Sequence, residues 1–221
     1  MNKKALIFLI ILAAIAGGFF YFWEVWLPAQ IEKEQQIPEE KTQPPTLFGK
    51  EDYKIEERED GKYIVVEKVG LTAKVPEGWK VEFKGNDIPE PGYWITLLSP
   101  DAEVKDIPIK GCGVSIIIGE EIKNVEEVRN IIKILKEHPE IKPEEISYTY
   151  KNYILKVVEI NEHEALKWIA PKRPTLGQGL GINIPLKDRK NLISFNTRLL
   201  PGYEQKCSQI WEEFLNNVEI E

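Results

Sequence analysis

The sequence predicts an α+β domain, built on a central antiparallel β-sheet with helices packed on its faces and preceded by one transmembrane helix. Most of the chain after residue 53 consists of short runs rich in β-branched and aromatic residues, separated by turn residues. Two longer amphipathic runs, one near the middle and one at the carboxyl end, have helical spacing. The short turns favour antiparallel pairing, because parallel strands need a long crossover connection.

The transmembrane helix is predicted from residues 5–23, an apolar run without a charged side chain. At a helical rise of about 1.5 Å per residue, such a run spans a hydrocarbon core about 30 Å thick. Lys3 and Lys4 precede the run and Glu24 follows it, and positively charged flanks stay in the cytoplasm. We therefore interpret residues 1–26 as an uncleaved single-pass anchor in the cell membrane, with a cytoplasmic amino terminus and an extracytoplasmic domain.

Two other interpretations of this run compete with the anchor. Ala14-Ile15-Ala16 has the small residues of a signal-peptide cleavage site. However, the apolar run continues beyond Gly18 to Trp23, and exported domains rarely begin with such a stretch. A pilin-type leader requires the apolar helix to follow its processing site, whereas here the helix precedes Gly18. The anchor is the favoured interpretation, and cleavage is its main competitor.

A polar segment follows the anchor. Residues 27–52 are rich in Gln, Glu, Lys and Pro and poor in aromatic residues, so they cannot bury enough apolar surface to fold alone. We interpret them as a stem, and residues 53–221 as one extracytoplasmic domain long enough for a substantial core. The whole chain has a formal charge of −7, and residues 1–30 carry two lysines and one glutamate. The remainder therefore carries −8 and has no general attraction for nucleic acid.

The domain is predicted to open with a β-hairpin. Residues 53–58 and 62–69 flank Asp60-Gly61, a dipeptide typical of tight hairpin turns. A proline and a glycine at 76–78 mark another turn. The next predicted strands lie at 71–75, 79–83, 93–99 and 112–118.

Residues 124–137 are predicted to form the middle helix. Asn124 is placed at the N-cap, Glu127 completes a capping box, and Pro139 ends the helix. Its apolar stripe comprises Val125, Val128, Ile131, Ile132 and Leu135.

More strands and a final helix are predicted after the middle helix. Asn152 and Asn161 are the predicted turn residues between the first three of these strands. The strands lie at 146–150, 153–160, 164–170 and 192–200. The final helix starts near Pro201, and its apolar face comprises Tyr203, Cys207, Ile210, Trp211, Phe214, Leu215 and Val218.

Cys112 and Cys207 are the only cysteines. Cys112 shares a strand face with Val114 and Ile116, and Cys207 belongs to the apolar face of the final helix. Both side chains should point into the layer between sheet and helix. In an oxidising compartment we expect them to form a disulfide. The alternative is two unpaired cysteines that act as small buried hydrophobes.

The sequence contains no motif for catalysis or metal binding. His138 and His163 have no partner at metal-ligand spacing, and both are predicted to lie on the surface. The serines include no G-x-S-x-G motif, and the glycine-rich run 177–181 is predicted to be a loop turn. The acidic residues of the first hairpin are predicted to form a solvated face rather than a calcium site. We therefore predict a non-catalytic protein with no cofactor and no metal.

The stretch 171–191 is predicted to be a long loop and a contact site. It is locally basic in an acidic domain, and long loops are often functional. We predict that it contacts an acidic protein partner or a cell-envelope polymer, with a solvated hairpin tip as the alternative. The predicted contact residues are Lys172, Arg173, Lys187, Arg189 and Lys190.

The motifs VPEGW at 75–79 and YWITLLSP at 93–100 carry a family resemblance. They resemble the opening of PsbP-like and DcrB-like domains, which often begin with a short strand, a Pro-x-Gly-Trp turn and a strand ending in Ser-Pro. The order of predicted elements matches over about residues 62–221. The resemblance implies a central antiparallel sheet and a mostly non-catalytic protein that binds partners. It implies no site residue, because the metal-linked histidines of photosynthetic members have no match here.

The resulting functional prediction is a membrane-anchored extracytoplasmic domain that binds a partner or serves as an accessory subunit. Two other classes stay open. A cell-envelope hydrolase using dispersed carboxylates would show a deep pocket with two acids of raised pKa. A structural scaffold that self-associates would show an exposed apolar patch or a flat edge strand.

We predict that the protein isolated from membranes retains its amino-terminal residues. An uncleaved anchor keeps the apolar run attached to the domain, so intact-mass spectrometry of the membrane fraction should give the mass of the full chain. A variant lacking residues 5–23 should leave the membrane fraction and serves as the control. A soluble mature chain that begins just after Ala16 would contradict the anchor.

Overall fold

Antiparallel β-structure with three α-helices makes up most of the described part of the chain. The computed structural model describes residues 46–86, 92–104, 108–120, 122–187 and 190–221. The predicted anchor at 5–23 and the predicted stem up to residue 45 lie outside these ranges. Among the described residues, no helix is both long and apolar enough to span a membrane.

Among the described residues, the elements before the first α-helix are nine strands and two short 3-10 helices. The 3-10 helices lie at Lys50–Asp52 and Glu67–Val69. The strands are β1 (Thr46–Leu47), β2 (Lys54–Arg58), β3 (Gly61–Val66), β4 (Leu71–Lys74), β5 (Lys80–Asn86), β6 (Gly92–Leu98), β7 (Glu103–Val104), β8 (Pro108–Lys110) and β9 (Gly113–Glu120).

The second half of the chain holds the three described α-helices and five described strands. A third 3-10 helix lies at Tyr148–Tyr150. In chain order the elements are α1 (Ile122–Glu137), α2 (Pro143–Ile146), β10 (Ile154–Ile160), β11 (His163–Ile169), β12 (Gln178–Pro185), β13 (Asn191–Leu199), α3 (Glu204–Asn216) and β14 (Val218–Ile220).

The largest sheet has the strand order β10-β11-β12-β13-β9-β6-β5, and β1 also pairs with β9. Every pairing in it is antiparallel. Ile116 of β9 pairs with Ile95 of β6 on one side and with Phe195 of β13 on the other. Because side chains alternate between the faces of a strand, this register aligns apolar rows across one face.

The main core lies on that face of the large sheet. A four-stranded sheet, β14-β4-β3-β2, and helix α3 pack against it. Phe195 and Phe214 meet edge to face with ring centroids 5.5 Å apart, and Trp211 stacks on Phe214. Full burial of a large apolar side chain contributes about 1.5–3 kcal/mol. This layer is therefore the principal source of stability in the domain.

Helix α1 packs on the opposite face of the large sheet, over β10 to β13. Leu166 of β11 belongs to the cluster under α1, whereas its neighbour Ala165 belongs to the main core. The alternation along the strand thus places the two clusters on opposite faces. The cluster under α1 comprises Val128, Ile131, Ile132, Leu155 and Leu166.

A disulfide joins Cys112 to Cys207, as the sequence predicts. The two Cα atoms are 5.4 Å apart, and each residue is only 1% exposed. The bond links the start of β9 to α3 across the main core. Its sequence separation is 95 residues, and a loop of that order contributes about 4.7 kcal/mol in the chain-entropy account.

The predicted long loop 171–191 contains a central strand, so that prediction is wrong. β12 occupies Gln178–Pro185 between β11 and β13, and the glycine-rich run predicted as a loop turn forms much of its first half. Its glycines have a packing role: a Cβ at Gly181 would lie 2.2 Å from the indole of Trp168 on β11. On its other face, Ile182 points into the main core.

Two predictions about helices are also wrong. The predicted strand 146–150 is the end of α2 followed by a 3-10 helix, because Pro143 in the first turn favours a helix start. Helix α1 begins at Ile122, so Asn124 lies within the helix and is not its cap.

The two ends of the described domain extend beyond the predicted elements. Residues 46–52, which we placed in the stem, contain β1 and a 3-10 helix, and Phe48 between them is buried. Val218, predicted to lie in the final helix, belongs instead to β14, which pairs with β4. β14 adds to the edge of the four-stranded sheet, whereas β1 pairs with the end of β9 that β6 leaves unpaired.

Replacement of either cysteine by alanine is expected to lower the free energy of unfolding by about 2–5 kcal/mol. Each single variant and the double variant should be similarly destabilised, because each lacks the same cross-link. Urea unfolding followed by tryptophan fluorescence measures this effect. As a control, dithiothreitol should destabilise the wild-type chain under unfolding conditions and leave the double variant unchanged. A wild-type unfolding curve that the reductant does not shift would contradict the cross-link.

Candidate functional site

The structure separates the predicted basic contact residues into two places. Lys172 and Arg173 lie in the connection between β11 and β12, whereas Lys187 and Lys190 lie between β12 and β13. The eight residues of β12 separate these connections, and a rise of about 3.3 Å per residue puts its ends roughly 25 Å apart. Arg189 lies outside the described residues. The described members of the set therefore do not form one surface.

The connection that holds Lys172 and Arg173 is tightly fixed. Lys172 forms an ion pair with Glu204 at 3.1 Å, at the first residue of α3. The backbone groups of Arg173 and Gly177 exchange two hydrogen bonds. Gly177 has a φ of 70°, and a Cβ there would lie 1.9 Å from the carbonyl oxygen of Leu199. Because the backbone of Gly177 lies so close to that of Leu199, this connection has a structural role.

The opposite end of β12 borders a groove that contains Lys187. The groove lies between the second half of α1, the turn into β11 and the end of β12, and we call it the α1 groove. Its volume is about 590 Å³, within the range of about 300–1,000 Å³ that is typical of small-molecule sites. Of the predicted contact residues, Lys187 is the described one that lines it.

Helix α1 supplies a basic wall to the α1 groove. Arg129, Lys133 and Lys136 lie on one side of the helix because they are spaced four and three residues apart. Arg129 Nη2 donates a hydrogen bond to the carbonyl oxygen of Leu186, which ties α1 to the chain just after β12. Arg129 Nε is buried and has no hydrogen-bond partner among the described residues. Lys136 forms an ion pair with Glu164 on β11.

The α1 groove has a local excess of positive charge in an acidic domain. Besides the Lys136–Glu164 pair, Lys133 has Glu137 at 3.9 Å, the outer limit of an ion pair. Among the described residues, Arg129 and Lys187 have no carboxylate within ion-pair distance. The charged side chains that line the groove are Arg129, Lys133, Lys136 and Lys187, with Glu137, Glu162 and Glu164.

His163 is buried beside the groove, so the prediction that it lies on the surface is wrong. It is 8% exposed at the first position of β11. Its pKa is lowered, first because burial disfavours the charged imidazolium and then because Lys187 repels it, while Glu162 acts in the opposite direction. The imidazole is therefore neutral at pH 7. His138 is exposed, as predicted, with Glu140 at 3.7 Å.

No metal site is found in the part of the chain that the structure describes, where no three His, Cys, Asp or Glu side chains are grouped suitably. The described carboxylates with displaced pKa are all displaced downward. A hydrogen bond from Lys74 lowers the pKa of Asp60 to about 2. A hydrogen bond from Ser99 lowers the pKa of Asp101, and backbone hydrogen bonding lowers that of Glu204. A general acid needs the opposite shift.

Sequence reasoning missed the three basic residues that α1 contributes to the groove. The sequence predicts the helix from residue 124 onward, but the predicted contact residues include none on its polar side. The available signal was the spacing of Arg129, Lys133 and Lys136 along one side of the helix. Their proximity to Lys187 depends on how α1 packs over β12, which no local pattern encodes.

Comparisons with known proteins assign no family to the chain. No family model matches it, and no curated protein matches it. LpqN of Mycobacterium tuberculosis, which is involved in cell envelope biogenesis, overlaps with a TM-score of 0.42 and 9% identity, over 68% of this chain and 82% of LpqN. A Bacteroides thetaiotaomicron structure overlaps with a TM-score of 0.38 and 12% identity, over 69% of this chain and 45% of that one. The PsbP-like and DcrB-like resemblance therefore stays a prediction.

We predict that the free energy of unfolding falls as the pH is lowered from 7 to 5, partly through His163. The pKa of this imidazole is lowered in the folded chain and is about 6.5 in the unfolded chain, so the unfolded chain binds the proton more readily. His163 therefore does not affect the free energy of unfolding at pH values above its pKa in the unfolded chain. Below that pKa, the free energy of unfolding falls by at most about 1.4 kcal/mol per pH unit.

Urea unfolding between pH 5 and pH 7.5 measures this dependence. His163→Gln removes the titrating group and should reduce the slope, whatever its effect on overall stability. His138→Gln is the matched control, because His138 is exposed. An unchanged slope in His163→Gln would contradict the assignment.

Proposed function

We propose that this chain is a membrane-tethered extracytoplasmic domain that binds a partner molecule and does not catalyse a reaction. The observation that carries the proposal is the buried disulfide between Cys112 and Cys207. Disulfides form and persist in oxidising environments outside the cytoplasm. The predicted anchor at 5–23 supplies the tether and the orientation.

The α1 groove supports the binding part of the proposal. It is concave, and its charged side chains come from three separate segments of the chain. The wall formed by α1 is joined to the other two walls by side-chain contacts. Arg129 donates a hydrogen bond to the Leu186 carbonyl after β12, and Lys136 pairs with Glu164 on β11. A groove fixed in this way needs little rearrangement to accept a ligand.

The hydrolase alternative has less support among the described residues. Paired-carboxylate catalysis needs one carboxyl group with a raised pKa beside one that stays ionised. The lowered pKa values of Asp60, Asp101 and Glu204 belong to exposed carboxylates with lysine partners. In the α1 groove, Glu164 is paired with Lys136. These arrangements favour binding over hydrolysis.

The self-association alternative rests on the outer strand β10. Among the described strands, β10 pairs only with β11, so one of its edges is open. Ile154 at its start is 51% exposed, and Tyr148 in the preceding 3-10 helix is 80% exposed. However, Lys156 and Glu159 are exposed along the same strand, and charged side chains oppose edge pairing.

A membrane-impermeant, amine-reactive crosslinker applied to intact cells tests both halves of the proposal. The domain's lysines should be modified, because the domain lies on the extracytoplasmic side of the membrane. A discrete adduct with a second molecule should form, because the domain binds a partner. The control is a variant that lacks residues 5–23 and stays in the cytoplasm, which should not react.

Lysine modification tests the location of the domain, and adduct formation tests its binding function, so each can be contradicted without the other. Unmodified lysines together with reduced Cys112 and Cys207 would contradict the extracytoplasmic location. Modified lysines without any adduct would contradict the binding function and leave the location standing.

A further inference from the structure

Arg129 is held in a position suited to an anion. Its guanidinium is half-buried and fixed through Nη2 by the carbonyl oxygen of Leu186. The planar guanidinium matches the geometry of carboxylate and phosphate groups, and fixing it in advance reduces the entropy lost on binding. Lys187 directly follows Leu186 in the chain, so the same hydrogen bond brings its backbone close to Arg129.

Among the described residues, few carboxylates balance the positive charges around Arg129. Arg129 and Lys187 have no carboxylate within ion-pair distance among the described residues, and Lys133 has one only at 3.9 Å. Lys136 is occupied by Glu164. Arg129 is partly buried, and such a cation is costly without a counter-charge, because the surroundings screen it less than water does. A bound anion would supply the counter-charge.

The acidic side chains of the groove limit the size of the anion. Glu137, Glu162 and Glu164 line the same groove, so a long polyanion or an extended anionic surface would meet repulsion on several sides. The volume of about 590 Å³ accommodates a small molecule or the end of a larger one. Size and charge together therefore favour a compact anion over an extended one.

We propose that the α1 groove binds a small ligand carrying a carboxylate or phosphate group, through Arg129, Lys133 and Lys187. This inference rests on the proposed binding function and specifies the chemical class of its ligand. Arg129 provides the fixed, directional contact. Lys133 and Lys187 contribute flexible positive charges from α1 and from the connection after β12.

His163 provides a readout of occupancy that does not depend on knowing the ligand. Lys187 lowers the pKa of this imidazole and Glu162 raises it. The other charged side chains of the groove are Arg129, Lys133 and Lys136 with Glu137 and Glu164. An anion bound at Lys187 would offset the repulsion, so the pKa of His163 should rise on binding.

The full chain in detergent micelles is titrated with inorganic phosphate and with citrate, at constant ionic strength set by sodium chloride. Calorimetry measures affinity, and NMR of the histidine ring protons measures the pKa of His163. We expect saturable binding of at least one of the two anions, with a rise in the pKa of His163. A parallel titration in bilayers with and without anionic lipid distinguishes the sources, because a lipid headgroup ligand would bind only in the anionic bilayers and compete with phosphate.

Lys187→Ser and Lys133→Ser are the test variants, and each should weaken binding about tenfold through loss of a charged contact. Both side chains are exposed, so the variants should keep their fold. Lys80→Ser is the matched control, because Lys80 is an exposed lysine on β5, at the far edge of the large sheet. It should bind as the wild type does.

The inference is overturned if neither anion binds saturably in micelles or bilayers. It is also overturned if Lys80→Ser weakens binding as much as Lys187→Ser, since the attraction would then be general. Either result leaves the crosslinking test of the proposed function unaffected. Conversely, an intracellular location would refute the proposed function even if the anion binds.

Discussion

The disulfide between Cys112 and Cys207 is the constraint on which the rest of the domain depends. It fastens the start of β9 to α3 within the main core, at residues that are almost fully buried. The chain between these cysteines contains α1 and β10 to β13, and therefore every wall of the α1 groove. A single cross-link thus stabilises the core on one face of the large sheet and closes the segment that builds the groove on the other. A buried disulfide of this kind is typical of exported proteins.

The two faces of the large sheet have different roles. One face carries the small sheet and α3 and supplies most of the buried apolar area. The other carries α1, whose apolar stripe rests on β10 to β13 while its basic side lines the α1 groove. Because α1 is anchored by packing and by the Arg129–Leu186 hydrogen bond, the Arg129 guanidinium holds a fixed position. The domain has a net negative charge, so its surface as a whole repels polyanions, whereas the α1 groove offers a small site for an anion.

Local patterns in the sequence predict much of the fold, and tertiary contacts explain what they miss. Alternating apolar residues place Cys112 on a buried face, and helical spacing does the same for Cys207, so their pairing is predictable. The strand β12 is not predictable in this way, because Gly181 lowers its strand propensity. A glycine is needed at this position because the Trp168 indole lies against it, and Trp168 belongs to another strand. The candidate site is least predictable, since Arg129 meets the chain at Leu186 only after folding. Basic residues that are close in sequence, such as Arg173 and Lys187, end up at opposite ends of a strand.

We propose that the α1 groove, and not the basic connection before β12, is the binding site of this domain. The most direct measurement is a residue-by-residue map of backbone amide shifts in NMR spectra recorded as phosphate or citrate is added. We expect the perturbed amides to cluster in the second half of α1, at 162–164 and at 185–187. Perturbations confined to Lys172 and Arg173, or spread evenly over the surface, would contradict it.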